Sequence, residues 1–444
     1  MFLVSFVYLI ADMLKTEVIH VCSHCDAQYS KWQGQCSECG KWGTIQSIGI
    51  ASGNSPAGTI LLLDKNVKPI ARLPVGLNEV ENVLGGGVVP GSLILLSGDP
   101  GIGKSTLVLQ IALGLIQNTP GEIIYVCGEE SPEQISLRLK RLNAAGDKLR
   151  FLTDTGVKNV VATVKKYQPR LVIVDSIQTL TDDSLPNEPG SVTQIRAATG
   201  QLLQLAKSSN VPVIIIGHVT KDGVVAGPRL LEHMVDVVLY LEGDGIHEHR
   251  LLRSVKNRFG ATNQVGVFSM AEQGLVEVAN PSQLFLNQTN ETYPGSVVSV
   301  IMEGNRPFLV EVQALTNQTS FGYPKRAAAG FDASRLELIV AVLSRRANLK
   351  LDNQDIFLNL VGGLKSKDPA LDLAAAMAIA SALSNQTLPN QSVVLGEVGL
   401  GGEIRPVAHL EARLAEARRL GFANFYTAEL KDIKKALAIL GIDK

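Results

Sequence analysis

"GDPGIGKST", residues 98–106, fits the spacing G-x-x-x-x-G-K-[ST] and stands between an apolar run, "SLILLSG", and a helical one, "STLVLQIALGLIQ". A glycine-rich turn in that place lets backbone N–H groups face inward around phosphates, and the N-terminus of the following helix adds a favourable dipole. The reading gives Gly98, Asp99, Pro100, Gly101, Ile102, Gly103, Lys104, Ser105 and Thr106 to a bound nucleotide, ATP. Lys104 reaches the β/γ-phosphates and the Ser105 hydroxyl ligates Mg²⁺. A second carboxylate for that metal is Asp175, at the C-terminal tip of the apolar strand "LVIVDS". A base to orient water is offered by Glu129 or Glu130 at the end of "IIYVCGEES", with Glu129 preferred. Helix capping is the plain alternative for both glutamates, because Ser131-Pro132 opens a helix. His218, at the tip of "VIIIGHVT", either senses the γ-phosphate or is structural.

Working outward, apolar strands alternate with longer amphipathic stretches from Leu93 to about Val278: "SLILLSG", "EIIYVCG", "RLVIVDSI", "VPVIIIGHV" and "VDVVLYLEG". Continuous apolar strands joined by helices predict a mostly parallel sheet covered on both faces, an α/β domain. After "ANPSQLFLNQTNETYPG" the pattern changes to the strands "SVVSVIMEG" and "FLVEVQAL" and the alanine-rich helix "LDLAAAMAIASALS", which read as an independent α+β domain. At 444 residues the chain is long enough for several domains. The expected division is an extension at 1–19, a metal module at 20–45, a linker at 46–70, an ATPase core at 71–279 and the last domain at 280–444.

A formal net charge of −1 provides no global field for a polyanion, so nucleic-acid binding must come from local clusters of Lys and Arg. The opening "MFLVSFVYLIAD" is apolar, but too short to span a bilayer and without a basic n-region. A mis-set start or a disordered extension is expected there, with Met13 as the ordinary start of a cytoplasmic protein that has no membrane span.

Four of the five cysteines, Cys22, Cys25, Cys36 and Cys39, form two C-x-x-C pairs separated by ten residues. This is metal spacing, not a disulfide framework: each knuckle turns two thiolates to one side, and two knuckles complete a tetrahedral Zn²⁺ shell. Trp32 and Trp42 flank the knuckles and either stack on bases or pack around the small core. The remaining Cys127 lies in an apolar strand and reads as a buried small residue.

The knuckles, "SGDPGIGKST", "YVCGEES", "GHVTKDGVVAGPRLLEHMVD" and "KNRFG", in this order, resemble the bacterial RadA (Sms) family of DNA-repair proteins over nearly everything after Met13. The resemblance implies a RecA-type P-loop ATPase core, an N-terminal C4 zinc finger and a C-terminal domain like that of Lon protease. It also implies a hexameric ring and a DNA-stimulated, helicase-like ATPase. Such an enzyme acts with RecA on single-stranded and branched DNA, extending recombination intermediates by branch migration.

A Lon protease cuts peptides with a serine nucleophile activated by lysine, yet Ala370 and Glu411 stand at the positions that resemble those two sites. Alanine has no nucleophile and a carboxylate cannot act as the amine base, so the last domain reads as proteolytically inactive. The competing classes are an ATP-dependent Lon-like protease and a KaiC-like regulatory ATPase without DNA work.

Two cationic stretches remain. The loop "VTKDGVVAGPR" places Lys221 and Arg229 where RecA-type proteins carry a DNA-facing loop, which suits backbone contact without base readout. "SVKNRFGATN", residues 254–263, sets Lys256 and Arg258 two apart at the end of an extended run, hence on one face. Similar K-x-R segments in ring helicases resembling DnaB point at the neighbouring subunit's ATP. By that resemblance Arg258 is an arginine finger supplied in trans, with Lys256 beside it, while Phe259 and Gly260 set the turn. Direct DNA binding is the second reading of this motif.

Overall fold

The computed structural model describes residues 17–25, 27–50, 71–144, 146–218, 231–243, 249–278, 280–284, 286, 292–320, 322–362 and 365–442. The extension before residue 17, residues 51–70 of the linker, and the loop carrying Lys221 and Arg229 lie outside them.

The N-terminal module is a three-stranded antiparallel ribbon, β1 (Glu17–Cys22), β2 (Gln28–Tyr29) and β3 (Ile45–Ile50), in the order β2-β1-β3. Strand pairing therefore continues to Ile50, opposite Glu17. Its buried apolar cluster consists of Cys22, Cys36 and Ile45, far too little to hold a fold by hydrophobic burial alone.

The centre of the molecule is a nine-stranded sheet. Its strands are β4 (Leu93–Gly98), β5 (Ile123–Cys127), β6 (Leu149–Leu152), β7 (Leu171–Asp175), β8 (Val213–His218), β9 (Val237–Glu242), β10 (His249–Asn257), β11 (Val265–Ala271) and β12 (Gly274–Glu277), ordered β12-β11-β10-β9-β4-β8-β7-β5-β6. From β9 to β6 every pairing is parallel. The helices α1 (Asn78–Leu84), α2 (Lys104–Asn118), α3 (Pro132–Arg141), α4 (Val157–Tyr167) and α5 (Val192–Ser209) belong to this part of the chain.

All of β4 is buried because both of its faces are covered: Ile94 and Leu96 join a cluster with Leu107 and Ile111 of α2, while Leu93 and Leu95 join another with Leu202 of α5. That double cover is why this strand shows no polar alternation. The expected parallel sheet is present, and β10–β12 extend it as an antiparallel meander. Their connections are too short for the crossover that a parallel strand requires.

The C-terminal part forms a six-stranded sheet from β13 (Ser296–Glu303), β14 (Arg306–Gln318), β15 (Arg326–Ala329), β16 (Gln354–Leu360), β17 (Ser392–Val394) and β20 (Asn424–Tyr426), together with the small pair β18 (Glu397–Val398) and β19 (Ile404–Arg405). It carries α6 (Ala333–Arg346), α7 (Leu371–Ser384), α8 (Leu410–Arg419) and α9 (Ile433–Ala438). Helix α7 is buried from Leu371 to Ser381, and its alanines let it lie close against β13 and β14.

This part is not as self-contained as an independent domain would be. Val265 and Val267 of β11 pack in its core with Val297, Ile301, Phe308 and Val310, whereas Phe268, the next residue, packs in the ATPase core. Polar contacts run along the same seam: Arg306 pairs with Glu79 at 2.6 Å, Arg253 with Glu303 at 2.9 Å, and the Asn305 amide donates to the Asn263 carbonyl at 2.9 Å. Among the described residues no helix is long and apolar enough to cross a membrane.

Candidate nucleotide site and metal centre

Parallel strands end together, so residues at their C-terminal tips converge even when far apart in sequence. β4 runs into the loop 99–103, and Gly103, at φ 112°, opens α2. Lys104 is 4% exposed, and its ammonium donates to the carbonyls of Gly98 at 2.9 Å and Asp99 at 2.8 Å. Burial lowers its pKa. A buried ammonium that two carbonyls compensate only in part is a ready acceptor for an anion, and the residues present fit a phosphate chain.

Asp175, at the end of β7, is also 4% exposed. The Tyr125 hydroxyl donates to its Oδ2 at 2.6 Å, and Ser105 bonds to the same carboxyl. Desolvation pushes its pKa up, against those hydrogen bonds. A carboxylate that is costly to bury and faces the first turn of α2 fits a divalent cation bridging protein and phosphate.

The two glutamates after β5 separate clearly. Glu130 is committed to Arg138 of α3 by a two-pronged ion pair, 2.6 Å on each oxygen. Glu129 instead accepts from the Ser176 hydroxyl, and its amide donates to the Asp175 carbonyl at 3.2 Å. Gly128 makes that approach possible, since a Cβ there would lie 1.9 Å from the Thr179 hydroxyl. Ser131 forms a capping box with Gln134, so the cap of α3 requires neither glutamate. The backbone of His218 ends β8 directly opposite Gly98. Burial pushes the Cys127 thiol up to about 11, which leaves it protonated and inert.

Lys104, Ser105, Asp175 and Glu129 thus meet at one end of the sheet, and Lys256 and Arg258 do not join them. Lys256 pairs with Val238, which pairs with Leu95, so β10 carries the two cations toward the opposite end of β4. Arg258 lies roughly 15 Å along the strand direction from Gly98, beyond the reach of its side chain. The strand ends at Asn257 and has a bulge between Ser254 and Lys256, so Arg258 belongs to the following turn and not to an extended run.

Both cations still face one segment. The Lys256 ammonium donates to the Glu232 carbonyl at 2.6 Å, and Arg258 lies 3.5 Å from Asp236 with 55% of its side chain exposed. Phe259 packs against the ATPase core, and its amide donates to the Asn257 side chain at 2.9 Å. Asn257, Asp236, Tyr125, Ser176 and Arg138 escape sequence reasoning, because each acts by holding another group and none lies in a recognisable spacing.

In the ribbon, the Sγ atoms of Cys22, Cys25, Cys36 and Cys39 all lie within 4.8 Å of one another, Cys22 to Cys39 at 3.8 Å and Cys25 to Cys36 at 3.4 Å. Four thiolates on a tetrahedral zinc stand about 3.8 Å apart, so the cluster fits that ion. The Tyr29 hydroxyl beside Cys36 lowers its pKa to about 6, favouring the ligating thiolate.

The two positions that resemble the Lon dyad hold neither serine nor lysine. Ala370 is fully buried in a cluster with Leu414 and Ala417, and Glu411 is exposed in the first turn of α8. An ion pair, Asp368 to Arg413 at 2.7 Å, lies beside Ala370, and Asp368 also accepts the Ala370 amide at 3.0 Å.

Three family models match the chain: an AAA domain over residues 65–224, a rubredoxin metal binding domain over 20–47, and subunit ChlI of Mg-chelatase over 317–430. The chain is 44% identical over 420 residues to the DNA repair protein RadA of Pseudomonas aeruginosa, covering 92% of each chain. It is 45% identical over 425 residues to the DNA repair protein RadA of Bacillus subtilis, again covering 92% of each. With the DNA repair protein RadA of Streptococcus pyogenes serotype M6 the figures are 43% over 443 residues and 97% of each chain.

Proposed function

The chain belongs to the family of the bacterial DNA repair protein RadA, and from that membership we propose a ring-forming, DNA-dependent ATPase of recombinational repair. It works on single-stranded and branched DNA and, with RecA, drives branch migration. The observation that carries the reading is the convergence of Lys104, Ser105, Asp175 and Glu129 at the C-terminal ends of parallel strands. In the proposed site Lys104 leaves its two backbone carbonyls for the β/γ-phosphates of ATP. Ser105 and Asp175 would hold Mg²⁺, which would supply positive charge beside the phosphates. Glu129 orients the attacking water, since Glu130 has both oxygens engaged by Arg138.

Arg258 serves the neighbouring subunit's site in a hexameric ring, with Lys256 beside it, because neither reaches the P-loop of its own chain. Lys221 and Arg229 contact the DNA backbone. A protease reading receives no support from a buried Ala370 and an exposed Glu411. The deciding experiment is ATP turnover with and without single-stranded DNA. Stimulation of about tenfold or more is expected, the cost of assembling a site across subunits being met only on DNA. Equal rates would sink the proposal in favour of a regulatory ATPase.

Zinc completes the ribbon. The purified chain is expected to carry about one equivalent, and Cys36→Ser to lose nearly all of it, because three thiolates with an alcohol no longer close the shell. Metal analysis of the two proteins checks this; full zinc in the variant would place the ion elsewhere.

A further inference from the structure

The ribbon exposes its two largest side chains. Trp32 is 60% and Trp42 74% exposed, although a module with so small a core would gain by covering them. The two indoles flank Gly34: a Cβ on that residue would lie 3.5 Å from Trp42 and 3.9 Å from Trp32. The missing side chain leaves the ground between the rings open.

The fold holds the Trp32 ring and the Trp42 backbone. The Trp32 indole N–H donates to the Ile45 carbonyl at 3.2 Å, so its polar edge is satisfied. Trp42 is bridged to Gln35 across the second knuckle, where the Gly43 amide donates to Gly34 at 2.9 Å and the Cys36 amide to Lys41 at 2.9 Å. Lys31 and Lys41, each the residue before a tryptophan, are exposed as well.

We propose that Trp32 and Trp42 form a stacking platform for the bases of single-stranded DNA, with Lys31 and Lys41 meeting the adjacent phosphates. The inference rests on the reading of the chain as a DNA-acting protein and adds a base-contacting surface to it. An aromatic face accepts any base, so the platform is indifferent to sequence. Single strands are its substrate because in a duplex the faces of the bases are covered by their neighbours. A protein partner fits less well, since an aromatic anchor in an interface is ringed by groups that exclude water, and the chain neighbours of these tryptophans, Lys31, Gln33 and Lys41, are polar, as is Gln35 opposite Trp42. Two cations provide few phosphate contacts, so binding by this surface depends on the bases more than on salt.

The test uses the full, zinc-loaded chain. Both tryptophans of the sequence lie in the ribbon, so intrinsic indole emission reports on this surface alone. Oligo(dT) is expected to quench the emission, while an abasic strand of the same length leaves it unchanged. Trp42→Ala should weaken oligo(dT) binding by about tenfold, Trp42→Phe should restore most of the loss, and Trp42→Leu should not. Anisotropy of a labelled oligo(dT) is recorded in parallel. If anisotropy rises while emission stays constant, or if the abasic strand quenches equally, the platform is refuted and DNA binding stands. If anisotropy does not rise at all, the DNA-binding reading fails with it.

Discussion

Arg258→Ala protein is expected to turn over ATP about a thousandfold more slowly than wild type on single-stranded DNA, while nucleotide affinity changes by less than about threefold. The asymmetry follows from where the residue lies. Arg258 is at the far end of β10 from its own P-loop, so removing it leaves every group around Lys104 and Asp175 in place. Among the described residues its one ion pair is long, 3.5 Å to Asp236, and 55% of the side chain is exposed, so little stability is lost with it. Asp236 keeps Lys207 at 2.7 Å and the Leu93 amide at 3.0 Å. Steady-state turnover and nucleotide titration separate the alternatives. Normal basal hydrolysis with weakened DNA binding would mean that the cations of "KNRFG" contact DNA.

Lys104→Ala is expected to lower turnover by about a hundredfold or more, since in the proposed site it removes the ammonium that would meet charge developing on the phosphates. Here binding and hydrolysis should suffer in the same subunit. The variants become most informative together. Mixed one to one in rings, an Arg258→Ala subunit contributes an intact P-loop and a Lys104→Ala subunit an intact finger. About one interface in four then holds both, as follows from a head-to-tail interface. Turnover should rise to about a quarter of the wild-type rate if sites work independently. Absence of recovery in rings shown to exchange subunits would refute action in trans.

The ends of the parallel strands were legible in the sequence because local chemistry dictates them: a P-loop must follow a strand and open a helix, and a buried strand must be apolar throughout. Spacing alone was likewise enough to group Cys22, Cys25, Cys36 and Cys39. What stayed illegible was choice among neighbours and contact at a distance. Glu129 and Glu130 are adjacent and identical in type, and they are told apart by distant partners, Ser176 for the first and Arg138 for the second. The turn after Asn257 was hidden by a bulge, which shifts the alternation that an extended reading relies on. Trp32 and Trp42 left two readings open, because sequence does not say whether a small core has room for them; their exposure answers that question.

The division near residue 280 deserves its own consequence, because it divides the chain more cleanly than it divides the structure. β11 presents Val265 and Val267 to one hydrophobic core and Phe268 to another. A fragment ending before 280 would carry two valines stripped of cover, each representing about 1.5 to 3 kcal/mol of burial, and would lose Arg306 from Glu79 and Glu303 from Arg253. The C-terminal part thus has a place in the packing whatever stands at Ala370. It is the second wall of the strand that leads back from "KNRFG", so a cut at that division would unsettle both sides of it.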